Sequence, residues 1–261
     1  MIGSSDSHTG LAAVDENNFF GKTMSAEPSS TRVLGKWAIN NWEMNAAGYA
    51  AVWSKENTRE SIFDAMQRKE VYASTGPRMT VRFFGGWDYT SGDAARSDLA
   101  EIGYAKGVPM GGDLAHGPKG KSPKFLIRAV KDPIGAHLDR LQVVKGWRDE
   151  NGELHEQVYN VAVSDDRKIN SRGKVSSVGS TVDVENASYR NSIGDPELAV
   201  VWKDPDFKSD EAAFYYVRVL EIPTPRWTAY DAKLYGLDEL PQHITMTTQE
   251  RAYTSPIWYT P

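Results

Sequence analysis

The residues best suited to chemistry stand almost at the start of the sequence, in GSSDSH (Gly3 to His8), where an aspartate and a histidine lie two positions apart and are flanked by serines. In an extended strand successive side chains alternate faces, so Asp6 and His8 are expected on one face and Ser5 and Ser7 on the other. A carboxylate and an imidazole converging on one spot are the donors of a divalent-metal site. The chain contains no cysteine, so any metal must rely on His, Asp, Glu or backbone oxygen. Taken alone, an Asp-x-His pair is also what a strand end uses to satisfy local backbone donors. A Ser-His-Asp hydrolase built from the same letters fails on geometry, because neighbours in one strand cannot line up nucleophile, base and orienter in series.

Other positions offer weaker chemistry. Arg78, in STGPR, carries a planar fork suited to phosphate or carboxylate, or to a structural ion pair; Thr75 and Gly76 serve the turn before it. Gly111 to Asp113 with His116 read as a glycine-rich turn. Asp183, Glu185 and Asp195 are oxygen donors of the kind that hold calcium, but their spacing is not that of an EF-hand loop. Arg226 and Trp227, with Trp258 and Tyr259, are aromatic-rich and suit either a substrate cleft or a core. His137, His155 and His243 read as surface or loop residues.

These side chains must be positioned by elements that the pattern predicts. Residues 11–45, rich in Asn, Ser, Gly and Pro, are expected as a long, lid-like surface loop. NTRESIFDAMQRKE predicts a helix capped by Asn57 with Glu60 completing a capping box, and with Ile62, Phe63, Ala65 and Met66 on its apolar face. VYASTGPRMTVRFF predicts strand, turn, strand. Residues 87–105 turn small and polar and are expected as a linker or excursion. SPKFLIRAVKD, LDRLQVVKGW, LHEQVYNVAVS, STVDVENAS, ELAVVWKD and AFYYVRVLEI are alternating runs separated by turn material, which predicts an antiparallel β-sandwich over 106–222. The aromatic tail, 223–261, is expected to pack back over the rest.

With 40% hydrophobic and 25% charged residues, the 261-residue chain reads as an ordinary globular protein. Its net charge of -5 and lack of basic runs exclude a nucleic-acid footprint. No window is apolar enough to span a membrane, and nothing in this stretch reads as a signal peptide. The absence of cysteine leaves the compartment open.

GSSDSHTG, the loop after it and WSKENTRESIFDAMQRKEVYASTGPRMTVRFF resemble the C-terminal end of a PHP-type (polymerase and histidinol phosphatase-like) metallohydrolase barrel, in the branch known as the DUF3604 family. LDRLQVVKGW, ELAVVWKDPDF, YYVRVLEIPTPRWTAYDA and YTSPIWY resemble that family's downstream region. The resemblance implies an α/β plus all-β chain, in which 1–86 are the C-terminal part of a distorted (β/α) barrel with a long loop. It also implies two or three divalent metals, zinc, manganese or iron, with Asp6 and His8 as the last ligand pair. The other ligand motifs of that family, a His-x-His pair among them, have no counterpart here, so the chain is expected to be the C-terminal portion of a longer protein or to pair with a separate chain. A homo-oligomer is a further expectation.

The function so implied is a metal-dependent hydrolase acting on a phosphate ester or an amide- or ester-like bond of a small-molecule substrate. Asp6 would ligate the metal and take a proton, and Arg78 would face an anionic group. The alternative is a non-catalytic binding or assembly module that pairs with the chain carrying the rest of the barrel. The resemblance points to the periplasm or cell envelope, since related proteins carry export signals upstream.

Overall fold

The structure, a computed structural model, describes residues 1–261. Before the first strand the chain forms only four short 3-10 turns, Glu16–Asn18, Met24–Ala26, Arg32–Leu34 and Asn41–Glu43. There follow β1 (Tyr49–Val52), α1 (Arg59–Gln67), β2 (Val71–Ser74), β3 (Thr80–Gly86), a 3-10 turn Ser91–Ala95 and α2 (Leu99–Lys106). The middle of the chain is stranded: β4 (Gly107–Pro109), β5 (Asp113–Leu114), β6 (Lys124–Val130), β7 (Leu138–Arg148), β8 (Leu154–Val163), β9 (Glu197–Lys203), β10 (Ala212–Glu221) and β11 (Thr224–Pro225). It ends with α3 (Trp227–Tyr235), β12 (Thr247–Thr248), β13 (Arg251–Thr254) and β14 (Ile257–Tyr259).

Alternation along β10 explains the architecture. Ala213, Tyr215, Val217 and Val219 are buried while their neighbours are half-exposed, so one face of the strand needs a covering layer. That layer is a second sheet. The first sheet runs β1-β2-β13-β10-β14-β5, with β7 on the other edge of β10 and β8 beyond it; the second runs β4-β3-β6-β9. Val81, Phe83, Phe125 and Ile127 of the second share one core with Leu141, Val143, Tyr215 and Val217 of the first. The rings of Phe125 and Tyr215 meet there at 4.5 Å. The result is a mixed α/β chain, mostly sheet, with two sheets packed in sandwich fashion.

Several expectations need correction. A barrel is not seen over 1–86. Instead β1 and β2 extend the first sheet through β13, and β3 crosses to the second, so these strands complete the sandwich. The sandwich is therefore wider than 106–222. STVDVENAS forms no strand, only a bridge between Asp183 and Ser188 in the connection from β8 to β9. Residues 87–105, expected as a linker, fold into a turn and the start of α2, which with Tyr89, Ala94 and Leu99 cover Phe84 and Leu126 on the second sheet.

Helix α1 is capped by Thr58, whose hydroxyl accepts the Ser61 N–H at 3.3 Å, and not by Asn57. Of its apolar side chains only Ala65 is buried; Phe63 is 61% and Met66 45% exposed.

The segment 11–45 is packed and not a free lid. Phe19, Ala26, Val33, Met44 and Ala46 form a second core with Trp227 and Ile244 from the tail. No helix is long and apolar enough to cross a membrane.

Candidate functional site

Asp6 and His8 lie in a segment without regular structure. Asp6 adopts a positive φ of 49°, a left-handed conformation that an aspartate tolerates but that no continuing strand contains, so the alternation expected across Asp6 and His8 is broken. Both side chains are exposed nonetheless. The Asp6 carboxylate, 77% exposed, has the Lys22 ammonium 3.8 Å away. The His8 N–H donates to the Lys22 carbonyl at 2.8 Å, and its ring meets Trp37 edge-on at 5.7 Å.

Lys22 ties this segment to the rim of a cavity of about 490 Å³ that is also lined by Ser4, Asn45, Thr75, Glu16 and Glu250. The glycine of the STG turn is needed here: a Cβ on Gly76 would lie 2.5 Å from the Val14 carbonyl oxygen, closing the passage of the first segment. No three His, Asp or Glu side chains of the chain converge to hold a metal. A catalytic zinc takes three protein ligands, so Asp6 and His8 do not by themselves form a complete centre.

Glu16 and Glu250 also wall a second cavity of about 220 Å³. Glu16 accepts N–H bonds from Ala46 at 3.2 Å and from Trp227, the first residue of α3, at 2.6 Å. Burial outweighs these bonds and raises its pKa above the ordinary value. Glu250 accepts the Thr75 hydroxyl. Burial raises its pKa to about 7; the Glu16 charge adds to the shift, while Thr75, Arg251 and Arg226 oppose it.

The sign of the resulting pH dependence follows. Between the ordinary value of 4.5 and about 7 the folded chain keeps the Glu250 proton and the unfolded chain loses it. Stability therefore falls as pH rises through that window, by roughly 3 kcal/mol from this group. Glu250→Gln is expected to remove this slope and to make the chain more stable than wild type at pH 8 but not at pH 4, as urea unfolding at the two pH values will read.

The remaining candidates are dispersed. Arg78 is 71% exposed at its side chain, with Nε 4.0 Å from Asp132, while its N–H donates to Asp132 at 2.7 Å. It does not line either cavity. Asp113 pairs beside Trp258 in β5, and the His116 ring meets Tyr259. Asp183 accepts from Asn186 and Asp195 pairs with Leu138, so no calcium-like set forms with Glu185. Trp227 is fully buried and donates to the Met44 carbonyl, and Arg226 is buried beside it. Trp258 is half exposed on the sheet and Tyr259 is buried.

The family described as "Protein of unknown function (DUF3604)" matches residues 1–261. The chain belongs to the DUF3604 family. No curated protein and no solved structure matches it.

Two carboxyls of this DUF3604 chain, Glu221 and Glu250, escaped the reading of its motifs. A signal was present for the first: in AFYYVRVLEI, Glu221 falls in phase with Tyr215, Val217 and Val219, an acid on an apolar face. For Glu250 there was none, since its burial depends on the segment 11–45 and the turn at Thr75.

Proposed function

We propose that this chain contributes Asp6 and His8 to the divalent-metal centre of a PHP-type hydrolase, the remaining donors coming from polypeptide outside these residues. The observation that carries the reading is that both side chains stand open to solvent, with the Asp6 carboxylate 3.8 Å from the ammonium of Lys22, a residue of the cavity rim. Asp6 and His8 would hold part of such a centre, where zinc, manganese or iron, two or three ions to a site, would supply Lewis-acid polarisation of a phosphate-ester or amide- or ester-like bond and a water of lowered pKa.

The chain's residues do the rest. Asp6 offers carboxylate oxygens that bind and can take a proton, and His8 a ring nitrogen on a residue whose backbone N–H donates to the Lys22 carbonyl and whose ring lies edge-on to Trp37. Arg78, 71% exposed at its side chain with Nε 4.0 Å from Asp132, would exchange that partner for an anionic group of the substrate.

An apolar groove of about 500 Å³, lined by Met1, Ile2, Val52, Met66, Pro256 and Trp258, supports the expectation of a further polypeptide packed against the chain. The same groove favours the second reading, a binding or assembly module without catalysis.

Metal analysis of the protein with its natural partners separates the two. Stoichiometric transition metal that falls by about ten-fold or more in Asp6→Ala and His8→Ala, together with hydrolysis of a generic phosphate or carboxyl ester, is the expected result. Unchanged metal content and unchanged activity in both variants would leave the assembly module as the reading, and the mass of the native complex would then tell a second copy from a different chain.

A further inference from the structure

The smaller cavity carries an inference that does not rest on the metal reading. β10 ends on Glu221, which is 1% exposed on the core face of the strand. Its Oε1 is the one buried side-chain oxygen or nitrogen in the protein without a hydrogen-bond partner. A carboxyl oxygen so placed is costly unless something donates to it. Glu221 lines the cavity of about 220 Å³ together with Glu250, Glu16, Asp132, Tyr189 and Tyr230.

The other acids of the wall are already engaged. Asp132 accepts N–H bonds from Arg78 at 2.7 Å and Ile134 at 3.1 Å, and Glu16 those of Ala46 and Trp227. Glu250 has one oxygen on Thr75 and makes no other side-chain hydrogen bond. The nearest cations do not answer either carboxyl. Arg226 donates to Met44 and Asn45, Arg251 to the Gln249 carbonyl, and Lys131 to the carbonyls of Asp132, Pro133 and Gly135. No salt bridge in the chain involves Glu221 or Glu250.

What fits is a group that brings several N–H donors and a positive charge into a small space lined also by Tyr189 and Tyr230. We propose that this cavity binds the primary ammonium group of a small amine, with Glu221 and Glu250 accepting its hydrogen bonds and Tyr189 and Tyr230 flanking it. A divalent metal is the poorer fit, since no three ligating side chains converge there. The size agrees with a short alkyl chain: at about 30 Å³ for a water in the liquid, the cavity has room for a handful of heavy atoms. In the free protein burial favours the neutral form of both carboxyls. Burial, with the charges of Glu250 and Asp132 added, keeps the Glu221 pKa well above its ordinary value, and a bound cation takes the place of the proton.

Calorimetric titration of the full chain with n-butylamine, n-butanol and manganese chloride tests this. Butylammonium is expected to bind saturably at one site, with butanol at least about ten-fold weaker. Glu221→Gln keeps the shape of the neutral acid but removes the charge that a cation needs. It is expected to weaken butylammonium by about ten-fold or more, with its circular dichroism and melting unchanged or improved. No saturable binding of butylammonium to wild type up to about 10 mM, equal binding of butanol, or a Glu221→Gln isotherm like that of wild type would overturn the proposal. Manganese binding that Glu221→Gln abolishes, in place of butylammonium binding, would overturn it in favour of a metal site.

Discussion

Replacing Arg32 with leucine is expected to cost about 3–5 kcal/mol of stability, because it leaves the Asp231 carboxylate buried without its cation. Arg32 and Asp231 are each 5% exposed at the side chain, and the guanidinium grips the carboxylate in two-pronged fashion through Nε and through Nη2 at 2.6 Å. Its Nη1 donates to the carbonyls of Phe19 at 2.8 Å and Ala26 at 3.2 Å, and its plane lies 4.9 Å from the Trp227 ring.

One side chain therefore joins two turns of the first segment to helix α3, nearly two hundred residues later. A melting temperature lower by on the order of 10 °C is expected for Arg32→Leu. Arg32→Leu with Asp231→Leu should recover most of the loss, since no charge is then stranded. Loss below about 1 kcal/mol in the single variant, read by urea unfolding, would show that the segment 11–45 is not anchored through this pair.

The second large effect is expected at Lys145, which lies on the buried face of β7, 3% exposed at its side chain. Its ammonium donates to Asp204 at 2.8 Å and to the Asp206 carbonyl at 2.8 Å, and Asp204 also accepts the Tyr215 hydroxyl at 2.8 Å. Asp204→Ala strands the ammonium and is expected to cost about 3–5 kcal/mol.

Lys145→Met is expected to cost less. The Asp204 carboxylate keeps the Tyr215 hydroxyl and the Asp206 N–H at 2.8 Å, and the methionine fills the volume of the lysine stem. A double-mutant cycle on the two residues should return a coupling of roughly 2 kcal/mol or more. Equal losses in the two single variants would show that the carboxylate depends on Lys145 as strongly as Lys145 depends on it.

Where side chains alternate on a strand, the local pattern reached the structure. SPKFLIRAVKD, LDRLQVVKGW, LHEQVYNVAVS, ELAVVWKD and AFYYVRVLEI all became strands, because a period of two with β-branched and aromatic residues finds one solution on a half-buried sheet. STVDVENAS alternates too, but it has no long apolar side chain to bury and is held by a local Asp183 turn instead. The existence of the helix at Arg59–Gln67 was legible in the sequence, although its cap is Thr58 and not Asn57. That most of its apolar face stays exposed was not, since what covers a face is a tertiary matter.

The candidate site divides the same way. That Asp6 and His8 carry side chains able to act as donors is readable in the letters, whereas their geometry turns on a single left-handed residue, which aspartate permits but does not announce.

What the amino-acid sequence by itself determined was composition, the strand-rich middle and the residues able to do chemistry, all consequences of local spacing and side-chain type. Only the tertiary structure decided that β1, β2 and β3 belong to the two sheets, that Arg32 finds Asp231, and that Glu221 and Glu250 meet across a cavity. Those pairings join residues far apart in the chain. They are chosen by burial and charge compensation between surfaces, which no local window of sequence contains.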